Sequence, residues 1–373
     1  MPNIEEIVGL AESLEEKSVF VVKSKCVAAR NRNAKCQKCV EACPTKALIV
    51  EKNEINLSHS KCVACGACCA VCPTEALVPL RPSDEELAES IAEAYLVAQG
   101  IATFACSRMA ARRVVYPETF AEVPCLARME ESILLGLVAQ GVEKIHLVDG
   151  DCSTCKYLHC VPGIEAILLS VNTLLETGGS SVRVQRSSQF PQELLEKGDY
   201  SAYGEKRRKF FTEARGSAKE VAGKALFSFL ESEKKTKQAT LRDELGITLA
   251  GKIPKFEPRR HMQILDALDG MPDLGGDKIE TRLWGSIEVD EQTCVPCEMC
   301  MMFCPTNALK KVSFESGEAM ENLLEFSLAD CVQCNSCEDI CPKKAIRVNS
   351  VVSLAELFDF EPRIIPLKDT RKK

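Results

Sequence analysis

The sequence predicts an α+β chain of several domains: two small cysteine-rich units, one near each end, flanking a small parallel α/β domain and a helical connector. Three observations carry this. A cysteine motif ending in proline recurs four times, as two pairs far apart in the chain. Strand-like and helix-like runs alternate between the pairs, and a charged stretch with helical spacing follows them. The boundaries read as 1–82 for the first unit, 83–100 for a connector helix and 101–186 for the α/β domain. A helical connector follows over 187–283, then the second unit over 284–350 and a tail, 351–373, with no signal of its own.

The first motif is Cys36-x2-Cys39-x3-Cys43-Pro44, and the second is Cys62-x2-Cys65-x2-Cys68-x3-Cys72-Pro73. Cys294-x2-Cys297-x2-Cys300-x3-Cys304-Pro305 and Cys331-x2-Cys334-x2-Cys337-x3-Cys341-Pro342 complete the set. Each runs on into a short helix signal (PTKAL, PTEAL, PTNAL, PKKAI), and a strand-like run precedes several, as at Glu54–Leu57 and Ser286–Val289. Each repeat thus pairs short strands with a one-turn helix, two repeats to a domain.

Composition agrees. The chain has 373 residues, 22 cysteines, a net charge of −7 and 46% hydrophobic residues, yet only 5% aromatics. Cysteine, rather than large side chains, must organise part of it. The N-terminus, MPNIEEIVGLAESLEEK, is acidic and lacks the parts of a signal peptide, and apolar segments such as Gly163–Leu175 are too short to span a bilayer. The expectation is a cytoplasmic chain without a membrane span, peripheral to a membrane only through partners. In a reducing compartment grouped cysteines bind metal rather than form disulfides. Mild acidity argues against nucleic acid as a partner.

Between the pairs, Ser83–Gly100 carries Leu87, Ile91 and Tyr95 at helical spacing behind a Ser83…Glu86 capping box. Strands are expected at Ile101–Ala105, Phe120–Pro124, Lys144–Val148 and Ser181–Val184, with helices at Glu130–Gln140 and Gly163–Leu175. Gln189–Met271 reads as charged and mostly helical, EKRRKFFTEAR and EPRRHMQILDAL being its clearest segments, with charges on solvated faces.

Three thiolates two residues apart can wrap a loop around one face of a cubane, and the proline after the fourth suits a first helical position that needs no N–H donor. Soft thiolates select iron–sulfur clusters, copper(I) or zinc. Structural zinc takes two C-x2-C pairs rather than runs of four with a trailing proline. Both ends resemble bacterial-type two-cluster ferredoxin domains, so the predicted fold is two ferredoxin-like dicluster domains around the α/β domain, with four 4Fe–4S clusters. The resemblance implies crossed ligation: Cys62, Cys65 and Cys68 with Cys43; Cys36 and Cys39 with Cys72; Cys294, Cys297 and Cys300 with Cys341; Cys331, Cys334 and Cys337 with Cys304. The first motif departs from the pattern, since Asn33 stands where its first cysteine belongs. Cys26 is the free candidate across the polar loop VAARNRNAK; a three-iron cluster or a non-cysteine ligand are the alternatives. Cys69, beside a ligand, reads as a small buried side chain.

Cys106, Cys125, Cys152, Cys155 and Cys160 remain. The first two end predicted strands and the next two follow a third, so a parallel sheet would gather them at one edge. Three segments, FAC at 104–106, VPCLARM at 123–129 and GDCSTCKY at 150–157, resemble the iron–sulfur delta subunit of methyl-viologen-reducing hydrogenases and heterodisulfide reductases. That likeness implies a 2Fe–2S cluster on Cys106, Cys125, Cys152 and Cys155. The family's first strand carries extra cysteines, however, and its C-x4-C pair is C-x2-C here, which leaves Cys160 as a substitute or a bystander. A redox dithiol, half a zinc site or plain buried cysteines are the competing readings. His146 and His159 read as structural.

No Gly-x-Gly-x-x-Gly follows a strand, so no nicotinamide or flavin site is expected, and no catalytic residues are assigned. The chain reads as an electron-transfer subunit of an anaerobic oxidoreductase complex, with hydrogenase, heterodisulfide reductase-like, flavoprotein or formate dehydrogenase partners. A disulfide-reducing enzyme and a free polyferredoxin are the alternatives.

Overall fold

The structure, a computed structural model, describes residues 18–195, 246, 248, 253–271, 277–316 and 319–367. At the N-terminal end β1 (Val19–Val21) pairs antiparallel with β4 (Leu77–Pro79), and β2 (Leu48–Glu51) with β3 (Glu54–Leu57). Between them lie the short helices α1 (Val27–Arg30), α2 (Lys38–Glu41) and α3 (Ala67–Ala70). The core here is thin. Val19, Leu48, Ile55 and Leu77 meet Cys26, Cys39, Cys68 and Cys69, so cysteine supplies much of what large side chains would supply elsewhere.

Next comes α4 (Asp84–Val97). Ser83 and Glu86 form the expected capping box, and Leu87, Ile91 and Ala94 are buried. This helix packs on β5 (Ile101–Cys106), so it belongs to the α/β sheet rather than standing free as a connector. β5, β6 (Ala121–Val123), β7 (Lys144–Val148) and β8 (Val184–Ser187) form one parallel sheet in the order β6-β5-β7-β8. Every residue of the central β5 is buried, as a parallel strand covered on both faces requires. The fourth strand begins at Val184, where the expectation placed its end. The Asn172 side chain bonds both the Val184 N–H (2.9 Å) and its carbonyl (3.1 Å), and so fixes where pairing starts.

α5 (Glu131–Ala139) and α6 (Val161–Thr177) cover the sheet. α6 is longer than its sequence signal, because a 3-10 turn at Leu158–Cys160 feeds directly into it. The joined run Leu158–Thr177 is long and apolar enough to cross a membrane by length and composition. In this fold its Ile164, Ile167, Val171, Leu174 and Leu175 are buried in the core.

Within the connector the segment EKRRKFFTEAR lies outside the described residues. The segment EPRRHMQILDAL supplies α7 (Arg259–Asp269), which packs on α5. The stretch 253–271 also ties the parts together. The Arg260 guanidinium donates to the Cys69 carbonyl (2.8 Å) and pairs with Glu130 (2.7 Å), while its backbone N–H donates to Glu75 (3.1 Å). Lys255 Nζ donates to the carbonyls of Met301 (2.9 Å), Met302 (2.8 Å) and Cys304 (2.5 Å).

β9 (Lys278–Glu280) pairs with β14 (Val351–Ser353), so the C-terminal unit reaches beyond both expected limits, 284 and 350. β10 (Ser286–Val289) pairs with β13 (Ile346–Asn349), and β11 (Leu309–Ser316) with β12 (Ala319–Phe326), repeating the N-terminal topology. α8 (Met299–Phe303) and α9 (Ser336–Ile340) match α2 and α3 in place. Within the tail the described residues form α10 (Leu354–Asp359) and β15 (Arg363–Pro366), the latter added to β12. Its burial of Leu354 and Leu357 was invisible in sequence because one helical turn is too short to show a period. One apolar core runs from Cys65 through the sheet to Trp284, Phe326 and Leu357, joining the α/β segment to the C-terminal unit.

Candidate metal centres

The four motifs share a backbone. The residue three after the final cysteine (Lys46, Glu75, Asn307, Lys344) has positive φ in every case. Within the loops Ala64 and Gly66, Glu298, and Gln333 with Asn335 are also left-handed. Left-handed residues among right-handed ones turn successive N–H groups toward one side, the concavity that binds anions. The cysteine before proline then accepts N–H donors: Ala47 to Cys43 Sγ (3.2 Å), Ala76 to Cys72 Sγ (3.3 Å), Ala345 to Cys341 Sγ (3.3 Å). Hydroxyls of Thr45, Thr74 and Thr306 stand 3.7–3.8 Å from the Cys43, Cys72 and Cys304 sulfurs.

The neighbours whose charge acts on each thiol show which cysteines the fold brings together. Cys26 faces Cys72 and Cys36, and Cys39 faces Cys72, Cys26 and Cys36. Cys62 and Cys68 both face Cys65 and Cys43. Cys300 faces Cys294, Cys297 and Cys341, while Cys334 and Cys337 face Cys331 and Cys304. Asn33, in the vacant motif position, uses its backbone N–H to bond the Asn31 side chain (2.8 Å). All 22 cysteines are free of disulfide bonds.

Burial dominates these thiols. It pushes Cys26 and Cys331 up to about 11 and Cys300 to about 12, and raises Cys39, Cys334 and Cys337 as well. A cation must therefore accompany ionisation, as metal binding does. Among the described residues no three His, Cys, Asp or Glu side chains close on a single-ion position. A tetrahedral zinc site would draw its sulfurs to about 2.3 Å from one point. The cysteine groups are looser, and their donor set is all thiol, which suits a multi-iron group.

Charges also act between the groups. Cys39 faces Cys68 within the N-terminal unit, and Cys337 faces Cys300 within the C-terminal one. Across the units Cys334 faces Cys36, where Lys35 N–H donates to Asp339 (2.7 Å) and Lys38 Nζ to the Gln333 carbonyl (3.4 Å).

In the α/β segment Cys106, Cys125, Cys152 and Cys155 line one cavity of about 650 Å³ at the C-terminal edge of the sheet. The cysteine of GDC is held there: Cys152 Sγ donates to Asp149 (3.0 Å), and burial with that carboxylate raises its thiol to about 12. Arg186 braces Asp149 (2.7 Å) from the end of β8. Sequence reasoning missed Asp149 and Arg186, although both close strands that end at the cysteine edge. It also left Cys160 without a role. Cys160 is 2% exposed and its thiol interacts with those of Cys125 and Cys65. Its thiol lowers both partners, Cys65 to about 7. His159 Nε2 lies 2.5 Å from the Glu41 carbonyl, and His146 sits on β7.

Residues 293–345 match the 4Fe-4S dicluster domain family. That stretch begins one residue before Cys294 and ends four after Cys341, so it holds the third and fourth motifs whole. Among curated proteins none matches the chain. The C-terminal unit is an iron–sulfur domain of ferredoxin type that carries at least one 4Fe–4S cluster and has an electron-transfer role.

Proposed function

We propose that the whole chain is an electron-relay subunit with four 4Fe–4S clusters and one 2Fe–2S cluster, passing single electrons between partner redox proteins. One observation supports the reading: cysteines of each group act electrostatically on a cysteine of the next. Cys294, Cys297, Cys300 and Cys341 adjoin Cys304, Cys331, Cys334 and Cys337. These adjoin Cys26, Cys36, Cys39 and Cys72, which adjoin Cys43, Cys62, Cys65 and Cys68. Cys160 then links Cys65 to Cys125 at the middle cavity. When bound, each cluster supplies a reversible one-electron couple. The chain's residues hold the thiolates, exclude water and donate N–H groups to sulfur, which sets each potential. Cys297, in the first of these groups, is exposed.

Partners of hydrogenase, heterodisulfide reductase, flavoprotein or formate dehydrogenase type rest on the resemblance of the middle segment alone. A disulfide-reducing enzyme would need a free thiol that a substrate can reach; Cys160 is buried and does not line the cavity. Iron and sulfide analysis of anaerobically purified chain tests the relay. About 18 irons are expected, four for each cubane and two for the middle site. About eight irons, with zinc making up the rest, would leave a single dicluster domain on a structural scaffold.

A further inference from the structure

Arg30 ends α1, four residues after Cys26, and is 3% exposed. Its Nη1 donates to the carbonyls of Ser24 (2.8 Å) and Pro254 (2.7 Å), while Nε and Nη2 have no partner. Among the described residues no carboxylate pairs with it. A guanidinium does not lose its proton inside a protein, so a charge at this depth needs a negative counterpart. The groups whose charge acts on it are the sulfurs of Cys304 and Cys334, across the junction in the other unit, which become anionic on binding a cluster. Hydrogen bonds tie it to the same region: Arg30 holds Pro254, Pro254 precedes Lys255, and Lys255 Nζ bonds the Cys304 carbonyl at 2.5 Å. The buried fork thus presents two unused N–H groups and a full charge beside one cysteine group of the dicluster domain.

We propose that Arg30 lies against the cluster of Cys304, Cys331, Cys334 and Cys337 and raises its reduction potential above that of its domain neighbour. The proposal rests on the dicluster assignment and the crossed ligation above; it does not need clusters in the N-terminal unit. Reduction adds one electron and one negative charge to the cluster, and a fixed cation with N–H donors favours that state. Lys255 adds a second positive charge on the same side. In the neighbouring group the charges that act on Cys294 are Cys341, Cys297 and Asp290, all negative. Electrons would therefore collect at the junction of the two units.

The test is a redox titration of the full, iron-loaded chain followed by EPR. Signals are assigned by their loss in Cys337→Ser, for the cluster beside Arg30, and in Cys300→Ser, for its neighbour. In the unaltered chain the first signal is expected to titrate at the higher potential; the reverse order overturns the proposal without any change at Arg30. In Arg30→Gln and Arg30→Met that signal is expected to move down, with at least a tenfold fall in reduced fraction at the original midpoint. That fall is about 59 mV for one electron. Arg30→Lys keeps the charge without the fork and should move it less. A merely structural role would lose iron or shift every signal alike. Full iron content with an unmoved signal, or an equal shift of all signals, overturns the proposal. Iron too low for two C-terminal cubanes in the unaltered chain would sink the underlying assignment instead.

Discussion

Gly66 sits between Cys65 and Cys68 with φ +79°, and a Cβ there would lie 2.5 Å from Arg128 Cδ and 2.8 Å from its Cα. The positive φ is not the main obstacle. Glu298 and Asn335 hold the matching positions of the later motifs at φ 62° and 59°, so that conformation tolerates a side chain. The obstacle is Arg128, which is 1% exposed, pairs with Asp84 and lies 4.0 Å from Glu130. Its backbone Cα, at 2.8 Å, is itself too close, so side-chain rotation cannot clear the clash. Gly66→Ala should combine about 1–2 kcal/mol of left-handed strain with about 1–3 kcal/mol of overpacking. Asn335→Ala carries only the strain and serves as the control. The assay is denaturant titration of iron-loaded protein, followed by visible cluster absorbance. Gly66→Ala should lose colour at clearly lower denaturant than Asn335→Ala. Equal midpoints for the two would refute the packing of the second motif against Arg128.

Replacing Cys72 with serine should damage the cluster held by Cys36 and Cys39, because Cys72 faces those residues; EPR showing loss of the Cys62/Cys65/Cys68 cluster instead would contradict the crossing. Burial holds the Glu130 carboxyl up at about 7, against the pull of Arg260 and Arg128. The folded chain then keeps a proton that the unfolded chain has shed, so this contribution is full below the ordinary carboxylate range and is lost as pH rises through about 7. Glu130→Gln should flatten that loss, worth up to about 3 kcal/mol, in denaturant midpoints compared at about pH 5 and about pH 8; an unchanged pH slope would count against it. Cys125→Ser should remove the visible contribution of the middle cluster from the full chain. Cys160→Ala should leave iron content intact yet lower the potentials of the clusters on either side; loss of iron from the middle site would make Cys160 a ligand instead.

What could be read from sequence was what repeats or alternates. Four spacings located the motifs, and their shared left-handed positions follow from loops of one length around one kind of group. The parallel sheet was legible because β5 and β7 are apolar runs separated by helical periods, and the cysteine edge followed from topology. The missed features are contacts with no local signature. Cys160 meets Cys65 across more than ninety positions, and Arg30 reaches Cys304 from the opposite end of the chain. Neither leaves a period or a spacing. β8 was displaced because three of its four residues, Val-Gln-Arg-Ser, are polar, and one asparagine on α6 sets its start.

The stretch 253–271 grips the Cys69 carbonyl with one cation and the Cys304 carbonyl with another, while α7 packs on α5. Among the described residues, segments carrying cysteines on either side are thereby bonded to one strap. Electron exchange inside such a body depends on fixed tunnelling distances rather than on diffusion. Adding glycerol should slow the arrival of a partner and leave internal equilibration at its original rate.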